Sequence, residues 1–287
     1  SDVEMNQMAW VWEKELTITS YGVDPVTLSR GENFHTNADP ARQHYNPAMI
    51  EVGGETEQGT VSSLILTHII LDDMGKYEGE YFVQADSEGD GETTVSRSEV
   101  PNTSIVQDAI IATYNGMGTI TLGDGAELRN YGGMSAVRLS GGELIMEEGS
   151  AILDTTENER EKGASGSFGP AGAVWLQGGI LTMNGGTIGG DKGVMMNGRA
   201  LYADGGTANI GGTIQNIHGT DAAWQGQNGV AVHLRSHGEA TLASTGEITN
   251  VTGTNAGNNC AIWTQFCNFT TKAGSKISHV DGFQLLY

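Results

Sequence analysis

The stretch that decides the fold is Ala173-Val174-Trp175-Leu176-Gln177-Gly178-Gly179-Ile180-Leu181-Thr182-Met183-Asn184-Gly185-Gly186-Thr187-Ile188. Apolar and polar residues alternate in two short runs, which is the period-two pattern of half-buried strands. Paired glycines separate the runs, at points where the chain must turn sharply. The stretch therefore predicts short strands joined by tight turns.

Most of the chain repeats this pattern. First-strand copies that end in a pair of glycines are Ala136-Val137-Arg138-Leu139-Ser140-Gly141-Gly142 and Leu201-Tyr202-Ala203-Asp204-Gly205-Gly206. A third alternating run closes each copy, as in Glu247-Ile248-Thr249-Asn250-Val251. The copies recur roughly every 27 to 34 residues, which lies within the range of solenoid periods.

Three short strands per period describe one rung of a parallel β-helix. One rung cannot bury its inward side chains alone, so about seven stacked rungs would form a continuous apolar column. An antiparallel β-sandwich is the alternative, but a sandwich does not require the three runs to return in the same order. Because most such solenoids wind right-handed, we expect an all-β, right-handed, single-stranded parallel β-helix with two inserted loops.

The same pattern divides the chain. It predicts an N-terminal lead-in or cap over residues 1–45 and the β-helix over residues 46–287, with insertions near 73–103 and 154–170. In the lead-in, Met5, Met8 and Trp12 would form either a short amphipathic helix over the open end of the column or a plain edge strand. The chain stops on the apolar run 283–287, whereas solenoids need caps. We therefore expect a fragment of a longer protein.

The composition narrows the possible partners. The chain has 43 glycines and only 5 prolines, which suits tight repeated turns. Lys and Arg number 14 against 35 Asp and Glu, and the formal net charge of -21 disfavours binding to nucleic acid or to anionic lipid. No apolar run is long enough to span a bilayer, so we expect no membrane insertion. Cys260 and Cys267 are expected to be small buried side chains rather than a disulfide framework.

The opening strands resemble those of a known family. The runs are Leu16-Thr17-Ile18-Thr19-Ser20, Val26-Thr27-Leu28-Ser29-Arg30-Gly31, Met49-Ile50-Glu51-Val52-Gly53-Gly54 and Leu64-Ile65-Leu66-Thr67-His68-Ile69-Ile70-Leu71-Asp72. In this order they resemble the opening of pectate-lyase-like β-helix regions in large surface proteins of Gram-positive, often gut-dwelling, bacteria. With the later rungs the resemblance covers nearly the whole chain, through loose hydrophobic patterns. It implies an extracellular protein attached to the cell wall, with adhesion or glycan contact as its role.

Aligning the copies predicts a row of side chains on one face. The outward position of the first strand is, rung by rung, Glu51, Ile111, Arg138, Trp175, Tyr202, His233 and Trp263. Stacked rungs lie about 4.8 Å apart, so the four rings would be consecutive in one exposed ladder. Two positions further on, the same face has Gln177, Asp204, Arg235 and Gln265. Exposed rings with polar neighbours suit sugar faces and hydroxyls; stacking that only stiffens the sheet, or cover from an inserted loop, is the alternative.

A weak candidate for a calcium site lies in the first insertion. Asp86, Glu88, Asp90 and Glu92 place carboxylates at alternate positions around glycines, which resembles the start of a calcium loop. Glu88 stands where Asp or Asn is usual, and Arg97 stands where the closing bidentate Glu is expected. A solvated acidic loop is the alternative. The sequence therefore requires no cofactor and leaves calcium open.

Catalytic candidates are few. A β-helix lyase or glycoside hydrolase needs a carboxylate pair, or carboxylate-bound calcium with a basic residue. The weak candidates are Asp72 with Asp73, Asp204 with Arg235, and Asp221. Adjacent residues point to opposite sides of a strand, and a surface ion pair explains Asp204 and Arg235 equally well. The sequence leaves enzymatic activity open and favours its absence.

Together these features predict an extracellular β-helix module at a bacterial cell surface or cell wall. It would bind a glycan or host glycoprotein through the face that runs from Trp175 to Trp263, and its other partner would be the remainder of a larger surface protein. The alternatives are a polysaccharide-active enzyme that uses Asp204, or Asp72 and Asp73, and a passive structural stalk.

Overall fold

The computed structural model describes residues 2–35, 48–53, 62–74, 81–84, 95–98, 109–114, 118–131, 135–154, 172–219, 230–253 and 260–286. These residues form strands and turns, and the three large sheets that they build are parallel throughout. The chain winds as a right-handed parallel β-helix in which each rung gives one strand to each sheet. The predicted fold class is confirmed.

Sheet I contains the first strand of each rung. In order along the helix axis its strands are β2 (Ala9–Val11), β5 (Ala48–Gly53), β10 (Ala109–Tyr114), β13 (Ser135–Leu139), β16 (Val174–Leu176), β20 (Arg199–Asp204), β23 (Val230–Arg235), β26 (Cys260–Thr264) and β29 (Phe283–Leu286). Its outer face carries the row of rings predicted from the sequence, so sheet I positions the candidate site.

Sheets II and III contain the second and third strands. Sheet II consists of β3 (Glu15–Thr19), β6 (Ser62–Thr67), β11 (Gly118–Leu122), β14 (Glu143–Met146), β17 (Ile180–Met183), β21 (Thr207–Ile210), β24 (Glu239–Leu242) and β27 (Asn268–Thr271). Sheet III consists of β1 (Val3–Gln7), β4 (Val26–His35), β7 (Ile69–Asp72), β12 (Ala126–Arg129), β15 (Ala151–Asp154), β18 (Thr187–Gly190), β22 (Thr213–Gly219), β25 (Glu247–Gly253) and β28 (Lys276–Val280), with β19 (Met196–Asn197) beside β22. Sheet II has 8 strands, so the described residues contain eight complete rungs, against about seven expected from the repeats.

The lead-in is built from strands. β2, β3 and β4 pair with β5, β6 and β7, and they therefore form a complete first rung. Val11 packs into the core while the tryptophans on either side of it point outward, which is strand alternation. The helix alternative for this segment is therefore wrong, and the strand alternative is right. The predicted boundary at residue 45 lies outside the described residues and stays a prediction.

Inward side chains stack into continuous apolar columns. In sheet I one column runs through Ile50, Ile111, Val137, Val174, Leu201, Val232 and Ile262. In sheet III another runs through Leu71, Leu128, Ile152, Ile188, Ile214 and Ile248. Because parallel strands pair in register, each rung buries its apolar side chains against the same positions of the next rung.

Connections into sheet I vary most in length. From a third strand to the next first strand, the chain takes residues 36–47, 73–108, 130–134, 155–173, 191–198, 220–229, 254–259 and 281–282. The longest of these includes an antiparallel hairpin of β8 (Tyr81–Gln84) and β9 (Val95–Ser98). Turns from second to third strands are short, as at 184–186 and 211–212. Length variation therefore concentrates where the strands of sheet I begin.

Candidate functional site

The ring ladder lies on the outer face of sheet I. We give this name to Arg138, Trp175, Tyr202, His233 and Trp263, which pair in register from β13 to β26. The residues on either side of each member along its strand are buried in the column of the β-helix. Because side chains alternate along a strand, the five ladder side chains point away from the core.

One member of the predicted row is wrong. Ala112, rather than Ile111, pairs with Arg138 on one side and with Glu51 on the other. Ile111 instead belongs to the inward column. The run Ala109-Ile110-Ile111-Ala112 is apolar at every position, so alternation could not fix which of its residues faces outward.

The four rings contact one another along the helix axis. Ring centroids are 6.4 Å apart between Trp175 and Tyr202, 5.1 Å between Tyr202 and His233, and 5.0 Å between His233 and Trp263. The last pair is stacked, with ring planes 12° apart, and the first two pairs are tilted by 38° and 60°. These separations are those of interacting aromatic rings. The four rings of the ladder therefore form one continuous row of ring contacts.

Two arginines cover the first rings. The Arg138 guanidinium lies 4.8 Å from the ring centroid of Trp175, and the Arg199 guanidinium lies 5.2 Å from that of Tyr202. Both are cation–π distances. Burial lowers the pKa of each arginine to about 10, so both keep their positive charge at neutral pH. Arg199 was not predicted as a site residue, because its position at the start of β20 is outside the aligned row.

The ladder is less exposed than the sequence predicted. Trp175 is 6% exposed and His233 is 1% exposed, whereas Tyr202 and Trp263 are half-buried. Ladder neighbours contact the inner rings on both sides, and almost nothing of Trp175 or His233 reaches solvent. The adjacent outward row is also buried, and it consists largely of alanines: Ala136, Ala173, Ala200, Ala231 and Ala261. The expectation of a fully exposed ladder is therefore wrong for Trp175 and His233.

Three ring nitrogens in the ladder are buried without a hydrogen-bond partner. They are Nε1 of Trp175 and both Nδ1 and Nε2 of His233, in the part of the chain that the structure describes. Burial, with the charges of Arg199 and Arg235, lowers the pKa of His233 to about 3. The imidazole is therefore neutral and carries one donor and one acceptor. Buried polar atoms are normally satisfied, and each one left unsatisfied costs about 1–3 kcal/mol.

A second outward row runs beside the ladder. This polar row consists of Gln177, Asp204, Arg235 and Gln265, which occupy one register position along sheet I. Arg235 Nη1 donates to the Tyr202 hydroxyl at 3.3 Å, and the Ser236 hydroxyl donates to Asp204 Oδ1. Arg138 Nε donates to Gln177 Oε1 at 2.8 Å. The predicted ligand-binding residues thus come together on one face, where hydrogen bonds join the two rows.

Phe266 was missed by the sequence reasoning. It follows the polar row in the turn after β26, where earlier copies of the repeat have paired glycines. Its side chain is 97% exposed and its φ is 56°. A bulky residue with positive φ is uncommon and marks a strained turn. The replacement of glycine by an aromatic residue at this turn was the available sequence signal.

The catalytic candidates lie on different sheets. Asp72 and Asp73 follow one another at the end of β7 in sheet III, whereas Asp204 is on sheet I. Asp72 accepts hydrogen bonds from Arg129 Nε at 2.7 Å and from Asn130 Nδ2 at 3.1 Å. Arg30 forms an ion pair with Asp73. Both aspartates of sheet III are buried in this network, where arginines pair with their charges.

The proposed calcium ligands Asp86, Glu88, Asp90 and Glu92 lie outside the described residues, as do Asp221 and most of the second insertion. Among the residues that are described, no group of three or more His, Cys, Asp or Glu side chains is arranged to hold a metal ion. Calcium binding at 86–92 therefore stays a prediction. Cys260 and Cys267 are both free thiols, and burial raises the pKa of Cys260 to about 12.

Two further findings concern membrane-spanning helices and similarity to known proteins. In the described ranges, no helix is long and apolar enough to cross a membrane. No family model matches the chain, and no curated protein or solved structure matches it either.

Proposed function

We propose that this chain is an extracellular binding module of a larger bacterial surface protein, and that it binds a glycan or glycoprotein through the ring ladder and the polar row. The observation that carries the proposal is that the Tyr202 and Trp263 rings reach solvent beside the polar row, in a stack whose inner nitrogens on Trp175 and His233 have no partner among the described residues. A stack that only stiffened the sheet would gain nothing from polar atoms that it leaves unsatisfied.

The chemistry of the face fits a sugar chain. The half-buried rings of Tyr202 and Trp263 offer apolar surface next to polar handles. Gln177, Arg235 and Gln265 supply amide and guanidinium groups for hydroxyls and carbonyls. The ladder crosses five rungs, and rungs are spaced at about 4.8 Å, so a ligand bound along it would lie parallel to the helix axis.

The placement of the variable connections also supports a binding role. The two longest connections, 73–108 and 155–173, lead into the strands of sheet I. Solenoid proteins vary the loops that border their binding face while they keep the rungs constant. The extracellular location rests on the resemblance of the opening strands to pectate-lyase-like surface proteins, and the formal net charge of -21 suits a soluble exposed surface.

A glycan-array experiment tests this function. The test variants are Tyr202→Ala and Trp263→Ala, because both rings reach solvent and their loss leaves the inward columns intact. The matched control is Ile180→Ala, which removes an exposed apolar side chain from sheet II. Selective binding by the parent and the control, weakened at least about tenfold in both test variants, is the expected result.

Two arms of the array separate the alternatives. Repeating it with calcium and with a chelator tests residues 86–92, because only a calcium-dependent ligand would lose binding in the chelator. If the folded parent binds nothing, the binding role is refuted and a passive stalk remains, which the burial of Trp175 and His233 would explain. Shortening of a bound polysaccharide on incubation would instead indicate an enzyme.

A further inference from the structure

The outward row of the ladder continues toward the N-terminal end of the solenoid. Beyond Ala112 the next position is Glu51, and beyond that is Trp10, which pairs directly with Glu51 across β2 and β5. Val11 and Val52, their neighbours along the two strands, are buried in the core. Trp10 and Glu51 therefore both point outward, and they lie side by side on rungs about 4.8 Å apart.

A second indole stands next to the first. The rings of Trp10 and Trp12 are stacked, with centroids 6.0 Å apart and planes 17° from parallel. Trp12 follows β2 and lies on the same side of the chain as Trp10. Trp10 is 39% exposed, so solvent reaches the indole that borders Glu51.

The Glu51 carboxyl is buried, and no hydrogen bond or ion pair with a described residue replaces its lost hydration. The residue is 2% exposed and has no hydrogen-bond or ion-pair partner among the residues that the structure describes. Its ladder neighbours Trp10 and Ala112 carry no charge, and the charged member that follows them, Arg138, is two rungs from Glu51. Buried carboxyls are normally paired or hydrogen-bonded. A buried carboxyl that lacks a partner and borders a solvent-facing indole is a candidate for ligand contact.

We propose that Glu51 and the Trp10 indole, which stacks on Trp12, form a binding site for an organic ammonium ion, either a quaternary ammonium or a primary amine. The carboxylate supplies the opposite charge, and the indole faces attract a cation through their quadrupole. Alkyl substituents on the ammonium pack against the indoles, which offsets the loss of water from the charge. The formal net charge of -21 also raises the local concentration of cations around the protein.

Binding at this site is coupled to the ionisation of Glu51. Burial raises the pKa of Glu51 to about 7. The carboxyl is therefore largely neutral near pH 6 and largely ionised near pH 8. A bound cation favours the ionised form, so binding strengthens as the pH rises across this interval and releases a proton.

The ammonium site does not rest on the proposed glycan-binding role. Ala112 and Arg138 separate Glu51 from Trp175, the first ring of the ladder. Loss of Trp263 at the far end therefore leaves the ammonium site intact. The two sites can be tested, and can fail, separately.

Titration with three probes tests the site, with indole NMR signals and calorimetry as readouts. Choline represents the quaternary class, ethylamine represents the primary amines, and 3,3-dimethylbutan-1-ol is the uncharged carbon analogue of choline. We expect one or both cations to bind with a dissociation constant of about 1 mM at pH 8 and at least about tenfold more weakly at pH 6. The neutral alcohol should bind at least about tenfold more weakly than choline at pH 8. Comparison of choline with ethylamine identifies the class of ammonium.

Variants decide whether the named residues form the site. Glu51→Gln keeps the shape of the side chain and removes its charge, so it should abolish the pH dependence and weaken cation binding at least about tenfold. Trp10→Leu keeps an apolar side chain and removes the indole face, and it serves as the second test if Glu51→Gln does not fold. Tyr21→Leu, which removes a fully exposed aromatic ring from the turn after β3, is the control and should bind the cations as the parent does. The proposal is overturned if no cation shifts the Trp10 signal, or if the neutral alcohol binds as well as choline.

Discussion

His233 lies against Trp263 with ring centroids 5.0 Å apart and ring planes 12° from parallel. Its other face meets Tyr202 at 5.1 Å. A charged imidazolium in this position would be desolvated and would face the positive charges of Arg199 and Arg235, and these causes, burial first, lower the pKa of His233 to about 3. The ring stack and the neutral state of His233 therefore depend on each other.

The first prediction concerns the acid limb of stability. In the unfolded chain His233 takes up a proton near pH 6.5, whereas in the folded protein it does so only near pH 3. Its contribution to stability is therefore complete above pH 6.5 and is lost as the pH falls, by up to about 1.4 kcal/mol per pH unit. His233→Phe keeps a ring in the stack and removes this loss. In urea unfolding near pH 7 and near pH 5, the free energy of unfolding of the variant should rise relative to that of the parent at the lower pH.

The control for this experiment is Ile180→Ala, because Ile180 is exposed on sheet II and its loss removes no titratable group. It should change the free energy of unfolding by the same small amount at both pH values. Equal pH dependence in the parent and in His233→Phe would contradict the neutral, buried state of His233.

The second prediction concerns the alkaline limb and Glu51. In the unfolded chain this carboxyl ionises near pH 4.5, whereas burial raises its pKa in the folded protein to about 7. Stability is therefore lost as the pH rises from about 4.5 through 7, and the loss reaches about 3 kcal/mol near pH 8. Glu51→Gln should match the parent near pH 4.5 and be more stable by about that amount near pH 8. Glu4→Gln, at an exposed carboxyl of β1, should show no such gain.

Much of the fold could be predicted from the sequence because each rung repeats one alternation between glycine turns. Where apolar and polar residues alternate strictly, as in Val174-Trp175-Leu176, the pattern fixes which side chain faces the core, and the structure has that register. Where every residue is apolar, as in Ala109-Ile110-Ile111-Ala112, the pattern does not show which residues face the core and which face outward. Ile111 was therefore assigned to the outer face in error, whereas Ala112 occupies that position.

The exposure of the ladder could not be predicted in the same way. Alternation shows that Trp175 and His233 leave the core, but it does not show how much of each ring the neighbouring rungs cover. The ion network around Asp72 was missed for a related reason. Arg129 lies 57 residues along the chain from Asp72, and only the stacking of rungs brings their side chains to 2.7 Å.

The third prediction tests that network. Arg129→Gln removes the guanidinium that faces Asp72 and leaves a buried carboxylate with fewer partners, so the free energy of unfolding should fall by about 2 kcal/mol. The expected loss is smaller than for a fully buried pair, because the Arg129 side chain is 28% exposed. Glu127→Gln is the control, since Glu127 contacts Arg129 only at 3.4 Å and is 25% exposed. A loss of similar size in both variants would contradict the view that Arg129 stabilises the protein through its contact with Asp72.

The fourth prediction concerns an amide ladder within sheet III, at the positions of β22 and β25 that have a positive φ. Asn250 Nδ2 donates to Asn216 Oδ1 at 2.7 Å, and both residues have a φ of 54°. Asn216→Gly should lose only the hydrogen bonds, about 1 kcal/mol, because glycine adopts positive φ without strain. Asn216→Ala should lose about 1–2 kcal/mol more, because alanine is strained in this region. Thermal unfolding of the two variants separates the loss of hydrogen bonds from the strain at positive φ. Equal losses in both variants would show that the positive φ at residue 216 adds no strain.

The fifth prediction concerns the close approach of two rungs at a glycine. Gly189 has a φ of 147°, and a Cβ built there would lie 1.7 Å from the backbone oxygen of Gln215 on the next rung. Gly178 also has a positive φ, 118°, but a Cβ built there meets nothing within 4 Å. Gly178→Ala should therefore lose only the backbone strain of a non-glycine residue at this φ, about 2 kcal/mol. Gly189→Ala must also push the strands β18 and β22 apart, and we expect a loss of more than about 3 kcal/mol or a failure to fold. Urea unfolding compares the two, and similar stabilities would show that the rungs are not packed this closely.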